Sequence, residues 1–119
     1  MEFFMTKRDG VAIVVLDNDS LDAKDAPEFK QKVLEMIVKE DAKRVVFDMS
    51  RLKFIDSSGL GSFLGISRSL HHRGGGLKLA CMSNAVRGMF ELVSMHKIFE
   101  IFPSVDEAVR SFEQPSEKV

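Results

Sequence analysis

Tryptophan and tyrosine are absent from this chain, and cysteine occurs once, as Cys81. A lone thiol cannot close an internal disulfide, which excludes the cross-linked frameworks of small secreted domains and fits a reducing, cytoplasmic setting. An excess of either charge is missing as well: Lys and Arg number 17 against 18 Asp and Glu, for a net charge of −1. That balance excludes a surface that holds nucleic acid or anionic membrane by bulk charge. Long apolar runs are also lacking. The longest pure stretch, Val11–Leu16, falls far short of a membrane span. Residues 1–10 carry no basic region followed by an apolar one, so no secretory signal is expected there. What is present is 119 residues, 45% hydrophobic and 29% charged, the make-up of a soluble globular domain. This length supports a core without staples. One domain is expected over residues 1–113, with the polar stretch 114–119, which contains Pro115, as a flexible tail. A monomer is the expected state.

The chain reads as alternating strands and helices. Residues 2–6 and 11–17 flank Asp9-Gly10, a pair in which glycine supplies the positive φ of a tight turn, and predict a hairpin. A polar loop follows over residues 18–24. A helix is expected from about Asp25, with Pro27 in its first turn and Glu28 at an approximate capping-box spacing. Phe29, Val33, Met36 and Ile37 then recur at helical spacing. Residues 44–49 read as a buried strand, because Val45-Val46-Phe47 is continuous rather than alternating. A helix over 57–72 is expected to line up Leu60, Phe63, Leu64, Ser67 and His71, and the glycines at 74–76 end it. A strand over 77–82 and a helix over 84–94 follow, the latter with Val86, Met89, Phe90 and Val93 on one face. A strand over 98–102 and a helix over 105–112, capped by Ser104 and Glu107, complete the order β-β-α-β-α-β-α-β-α. This pattern predicts an α/β fold: a mixed, mostly parallel sheet with an antiparallel N-terminal edge hairpin, packed with about four helices.

The segment most suited to chemistry is Asp56-Ser57-Ser58-Gly59-Leu60-Gly61, at a strand-to-helix junction where ligands of α/β folds meet backbone N–H groups. Asp56 is expected to cap the helix, and Leu60 to be exposed. Three enzyme motifs fail here. Gly59, Gly61 and Gly65 are spaced one residue too widely for a dinucleotide fingerprint, and nothing from Gly59 to Phe90 is acidic. No Gly-Lys-Ser or Gly-Lys-Thr ends a phosphate loop, and no Gly-x-Ser-x-Gly marks a nucleophile elbow. Adjacent His71 and His72 diverge on a helix, and with one cysteine no structural metal set is expected. The acidic loop from Asp17 to Asp22 lacks the glycine and glutamate of a calcium loop, but a parallel sheet would bring it beside the Asp56 turn. Seven Met and ten Phe point to core filling, with a Met-rich docking surface at Met82, Met89 and Met95 as the alternative.

Taken with Val45-Val46-Phe47-Asp48-Met49, the Phe54-Ile55 pair, Leu21-Asp22 and Asn84-Ala85-Val86-Arg87, the Asp56–Gly61 segment resembles the signature of STAS domains. More narrowly, it is similar to that of bacterial anti-sigma factor antagonists. The resemblance implies a switch without catalytic activity or cofactor. In such proteins the unphosphorylated form binds an anti-sigma factor that is also a serine kinase, and so frees a sigma factor. Phosphorylation ends the binding, and a metal-dependent serine phosphatase resets it. Carried over, Ser57 is the phosphoacceptor, and Asp22, Asp56, Ser58, Gly59 and Leu60 form the partner-binding surface. The stretch before Asp22 departs from the family pattern, with Asp19-Ser20 where Gly-Glu is common. Two other readings stand beside this one: a ligand-binding or transporter-associated STAS module that is never phosphorylated, and a small enzyme with Ser57 as nucleophile.

Overall fold

The computed structural model describes residues 1–113, so the tail expected at 114–119 lies outside the described residues. Strands β1 (Phe3–Arg8) and β2 (Val11–Leu16) form the antiparallel hairpin, closed by Asp9 and Gly10 at φ 54° and 77°. Both positive values belong to the hairpin turn that Asp-Gly favours. Next come β3 (Ser20–Leu21), α1 (Ala26–Lys39), β4 (Arg44–Asp48), β5 (Phe54–Ile55) and α2 (Ser57–His72). The chain closes with β6 (Gly76–Ala80), α3 (Asn84–Leu92), β7 (Ile101–Phe102) and α4 (Val105–Ser111). The main sheet has the order β1-β2-β4-β6-β7, parallel except for the hairpin.

Alternation along the strands divides the core in two. Ala12, Val14 and Leu16 of β2, with Val45 and Phe47 of β4, face α1, α2 and α3. Val11, Ile13 and Val46 face the opposite way and meet Ala108 and Val109 of α4. The larger layer is bound by phenylalanine: Phe3, Phe29, Phe47, Phe63, Phe90 and Phe99 form a chain of ring contacts with centroids 5.2–6.3 Å apart. Such mostly edge-on pairs add to area burial without needing a polar partner, so tryptophan and tyrosine are not missed. Met95 is buried and Met82 and Met89 pack against the core, so these methionines fill space rather than form a docking surface.

Several expectations need correction. The loop over 18–24 contains β3, which pairs in parallel with β5 as a separate two-stranded sheet. Asp25 precedes α1 but its side chain makes no cap bond, and Glu28 pairs instead with Lys32. On α2 the buried stripe is Gly59, Leu60, Ser62, Phe63, Ile66 and Leu70, with His71 exposed. Helix α3 stops at Leu92, because Ser94 takes a left-handed φ of 61° and a 3-10 turn follows over Met95–Lys97. Val93 is consequently exposed, and the last strand shrinks to two residues.

Candidate functional site

The small sheet builds the site. Backbone pairing sets Ser20 beside Phe54 and Leu21 beside Ile55, so the residues that follow each strand emerge together. After Leu21 comes Asp22, whose carboxylate accepts hydrogen bonds from the N–H groups of Lys24 (3.0 Å) and Asp25 (3.4 Å). Asp22 thereby supplies the turn into α1 that Asp25 does not cap. After Ile55 comes Asp56, the N-cap of α2. Its Oδ1 accepts from the N–H of Gly59 at 3.0 Å, and its Oδ2 accepts from the N–H of Ala23, also at 3.0 Å. One carboxylate thus starts a helix and ties that helix to a loop 33 residues earlier in the chain. The N–H of Gly59 leads in holding the Asp56 carboxyl below its usual range, with Ala23 and Ser58 assisting against some desolvation.

The six residues singled out from the sequence divide into two groups. Asp22, Asp56, Ser57 and Ser58 meet at one end of the sheet, and both serines are exposed at the start of α2. Gly59 and Leu60 do not join them at the surface. Gly59 is buried, and a Cβ there would lie 2.5 Å from the carbonyl oxygen of Leu21. Leu60 is only 2% exposed, because one turn into α2 the helix directs it toward Phe63 and the core. The expectation of an exposed leucine is corrected, and neither residue is a direct surface contact.

Ala23, Lys30 and Ser62 were not singled out from the sequence. With Ala26, Pro27, Ser58 and Gly61 they line an open cleft of about 420 Å³ where α1 and α2 both begin. The spacing of Ser58, Gly61 and Ser62 along one helix face was the available signal. Burial, aided by the nearby Asp48 carboxylate, pushes the Cys81 thiol upward from its usual range, which disfavours the thiolate. Among the described residues, no group of His, Cys, Asp and Glu could hold a metal ion. Among the same residues, no helix is long and apolar enough to cross a membrane.

The sequence model of the STAS domain matches residues 3–108. An anti-sigma F factor antagonist of Paenibacillus polymyxa is 26% identical over 113 residues, covering 95% of this chain and 96% of its own. An anti-sigma-B factor antagonist of Listeria monocytogenes is 30% identical over 95 residues, covering 80% of this chain and 82% of its own. The unphosphorylated form of the anti-sigma factor antagonist SpoIIAA superposes with a TM-score of 0.78 at 23% identity, covering 97% of this chain and 100% of its own. The phosphorylated form of SpoIIAA, a Bacillus cell fate determinant, superposes with a TM-score of 0.69 at 22% identity, over 93% and 99% of the two chains. At these identities the SpoIIAA likeness concerns the fold.

Proposed function

Because the chain belongs to the STAS-domain family, we propose that it is an anti-sigma factor antagonist that works by contact rather than catalysis. In its unphosphorylated form it binds a cognate anti-sigma factor that is also a serine kinase, and a sigma factor is released. Phosphorylation of Ser57 ends that binding, and a metal-dependent serine phosphatase restores it. The observation that carries this reading is the exposed Ser57 at the first position of α2, directly after a carboxylate that caps the helix and clamps the neighbouring loop.

The physics of the switch follows from that position. A phosphoserine adds roughly −1.5 to −2 charges. At a helix N-terminus the backbone dipole accommodates such charge, contributing about 0.3–1 kcal/mol in its favour. The fold therefore survives and the surface changes. The new charge lies beside Asp56 and Asp22, and a partner fitted to a neutral hydroxyl meets a cluster of like charges. A loss of about 3 kcal/mol at that interface lowers affinity roughly a hundredfold. Asp22, Asp56 and Ser58 form the contact surface around Ser57, while Gly59 and Leu60 support it from below.

Incubation with ATP and candidate serine kinases of the anti-sigma type, followed by intact-mass measurement, tests the proposal. The expected result is one added phosphate, lost in Ser57→Ala and retained in Ser58→Ala. The reading is overturned by phosphate that persists in Ser57→Ala, or by a Ser57→Asp variant that binds the kinase as tightly as the parent chain.

A further inference from the structure

Helices α1 and α2 run side by side from a common starting end, and the seam between them is open. The cleft at Ala26, Pro27 and Ser58 is followed by a second of about 430 Å³, lined by Leu34, Val38, Gly65, Arg68, Ser69 and His72. Lys30 belongs to both, so the two adjoin across its side chain along one groove. From Ser58 to His72 the groove is on the order of 20 Å long at 1.5 Å per residue, or about four helical turns.

Its chemistry is one-sided. Neither cleft is lined by an acidic residue among those described. The chain contains no Asp or Glu from residue 57 to residue 90, although its net charge is −1. Lys30 and Arg68 form no ion pair among the described residues, whereas Arg73 at the far end donates to Asp41 at 2.9 Å. The floor is apolar and low. Leu34 is half-buried, Val38 is 65% exposed, and Ser58, Gly61, Gly65 and Ser69 recur every three or four residues. A Cβ at Gly65 would lie 2.6 Å from the Lys30 ammonium, so the glycine lets that cation cross the groove floor.

We propose that the α1–α2 groove is the docking surface for an acidic, amphipathic helix of a protein partner. Small residues at this spacing let a third helix approach closely, ridge into groove. Its apolar stripe would rest on Leu34 and Val38, and its carboxylates would meet Lys30, Arg68 and His72. A membrane is a poorer match, since two aliphatic side chains, Leu34 and Val38, offer little apolar area to insert. Naming the partner as the anti-sigma factor rests on the function proposed above; the groove assignment does not.

The test is an amide-shift titration of the isotopically labelled full chain with a stapled Leu/Glu amphipathic peptide of about four turns. The same peptide with every Glu replaced by Lys, and phosphatidylglycerol vesicles, are the comparison arms. The expected result is shifts confined to the facing sides of α1 and α2, with affinity that falls as salt screens the charges. The Lys30→Glu/Arg68→Glu double variant is expected to bind at least tenfold more weakly. Gly65→Met, which fills the floor and pushes the Lys30 ammonium aside without removing any charge, is also expected to weaken binding. The proposal is overturned if the Lys peptide binds equally well, if shifts fall elsewhere, if no binding occurs, or if only vesicles bind. None of these outcomes depends on phosphate, and the intact-mass assay does not depend on the groove, so either proposal can fail alone.

Discussion

Two glycines two residues apart in α2 give a sharp test of how the site is built. At Gly59 an added Cβ would lie 2.5 Å from the Leu21 carbonyl oxygen and 2.6 Å from Ile55 Cγ1. Carbon contacts favour about 3.5–4.0 Å, so β3 and β5 would have to draw back from α2 by roughly 1 Å. Overpacking of this kind costs about 1–3 kcal/mol. The same shift weakens the bond from Asp56 N–H to the Leu21 oxygen, already 3.3 Å long, for about 1 kcal/mol more. Replacing a helical glycine by alanine returns about 1 kcal/mol. Gly59→Ala is therefore expected to lose about 1–3 kcal/mol. At Gly61 a Cβ meets nothing within 4 Å, and Gly61→Ala should gain about 0.4–1 kcal/mol from reduced freedom of the unfolded chain. At about 4 °C per kcal/mol for a domain of this size, the two variants should melt roughly 6–16 °C apart, measured by circular dichroism. Melting within a degree or two of each other, or in the reverse order, would refute the close approach of α2 to Leu21.

Asp22 holds a turn and carries a charge, and two substitutions separate these roles. Asp22→Ala should lose about 0.5–2 kcal/mol in denaturant unfolding, the usual value of such a capping acceptor. Asp22→Asn keeps an oxygen for the N–H groups of Lys24 and Asp25 and should retain stability, so any loss of partner affinity in it belongs to the charge. Lys78 is only 5% exposed, donates to the Ser111 hydroxyl at 2.7 Å and lies 3.8 Å from Glu100. Burial pulls its ammonium below the usual lysine range, so as pH rises the folded chain releases this proton before the unfolded chain does. Stability should accordingly rise with pH between the folded and unfolded values, and Lys78→Met should remove that rise and be at least as stable at pH 7.

The hairpin was readable from the sequence because its determinants are local: Asp9-Gly10 demands positive φ, and the residues on either side prefer strands. Asp56 as a cap was readable for the same reason. What escaped depends on distant partners. The pairing of Ser20-Leu21 with Phe54-Ile55 joins two-residue strands that no periodicity marks, and it exists because the Asp56 carboxylate and the Leu21 carbonyl link them. The face of α2 was ambiguous in a different way. Leu60 and Phe63 fit both a stripe continuing to Ser67 and His71 and one continuing to Ile66 and Leu70. Only the position of the sheet chooses between them, and it buries Ile66 and Leu70. The site was thus legible in its acidic and hydroxyl residues, and misjudged where side-chain direction decides.

That direction also separates the serines of α2 as acceptors of charge. Ser57 is exposed at the first helical position, where a negative group meets the positive end of the helix dipole. Ser62, five residues on, is 4% exposed, and its hydroxyl donates to the Ser58 carbonyl oxygen at 3.2 Å. A carboxylate at Ser57 should leave stability unchanged or raise it by up to about 1 kcal/mol. A carboxylate at Ser62 is withdrawn from water with only Lys30 of the same cleft as a cation and loses the donor, for a penalty on the order of 3 kcal/mol. Thermal melts at pH 7 should therefore rank Ser57→Asp at or above the parent chain and Ser62→Asp more than about 10 °C below it. The reverse ranking would mean that charge at Ser57 acts through unfolding. A switch that must be written and erased repeatedly needs a site where the mark changes the surface and spares the core. Of these two hydroxyls, Ser57 alone meets that condition.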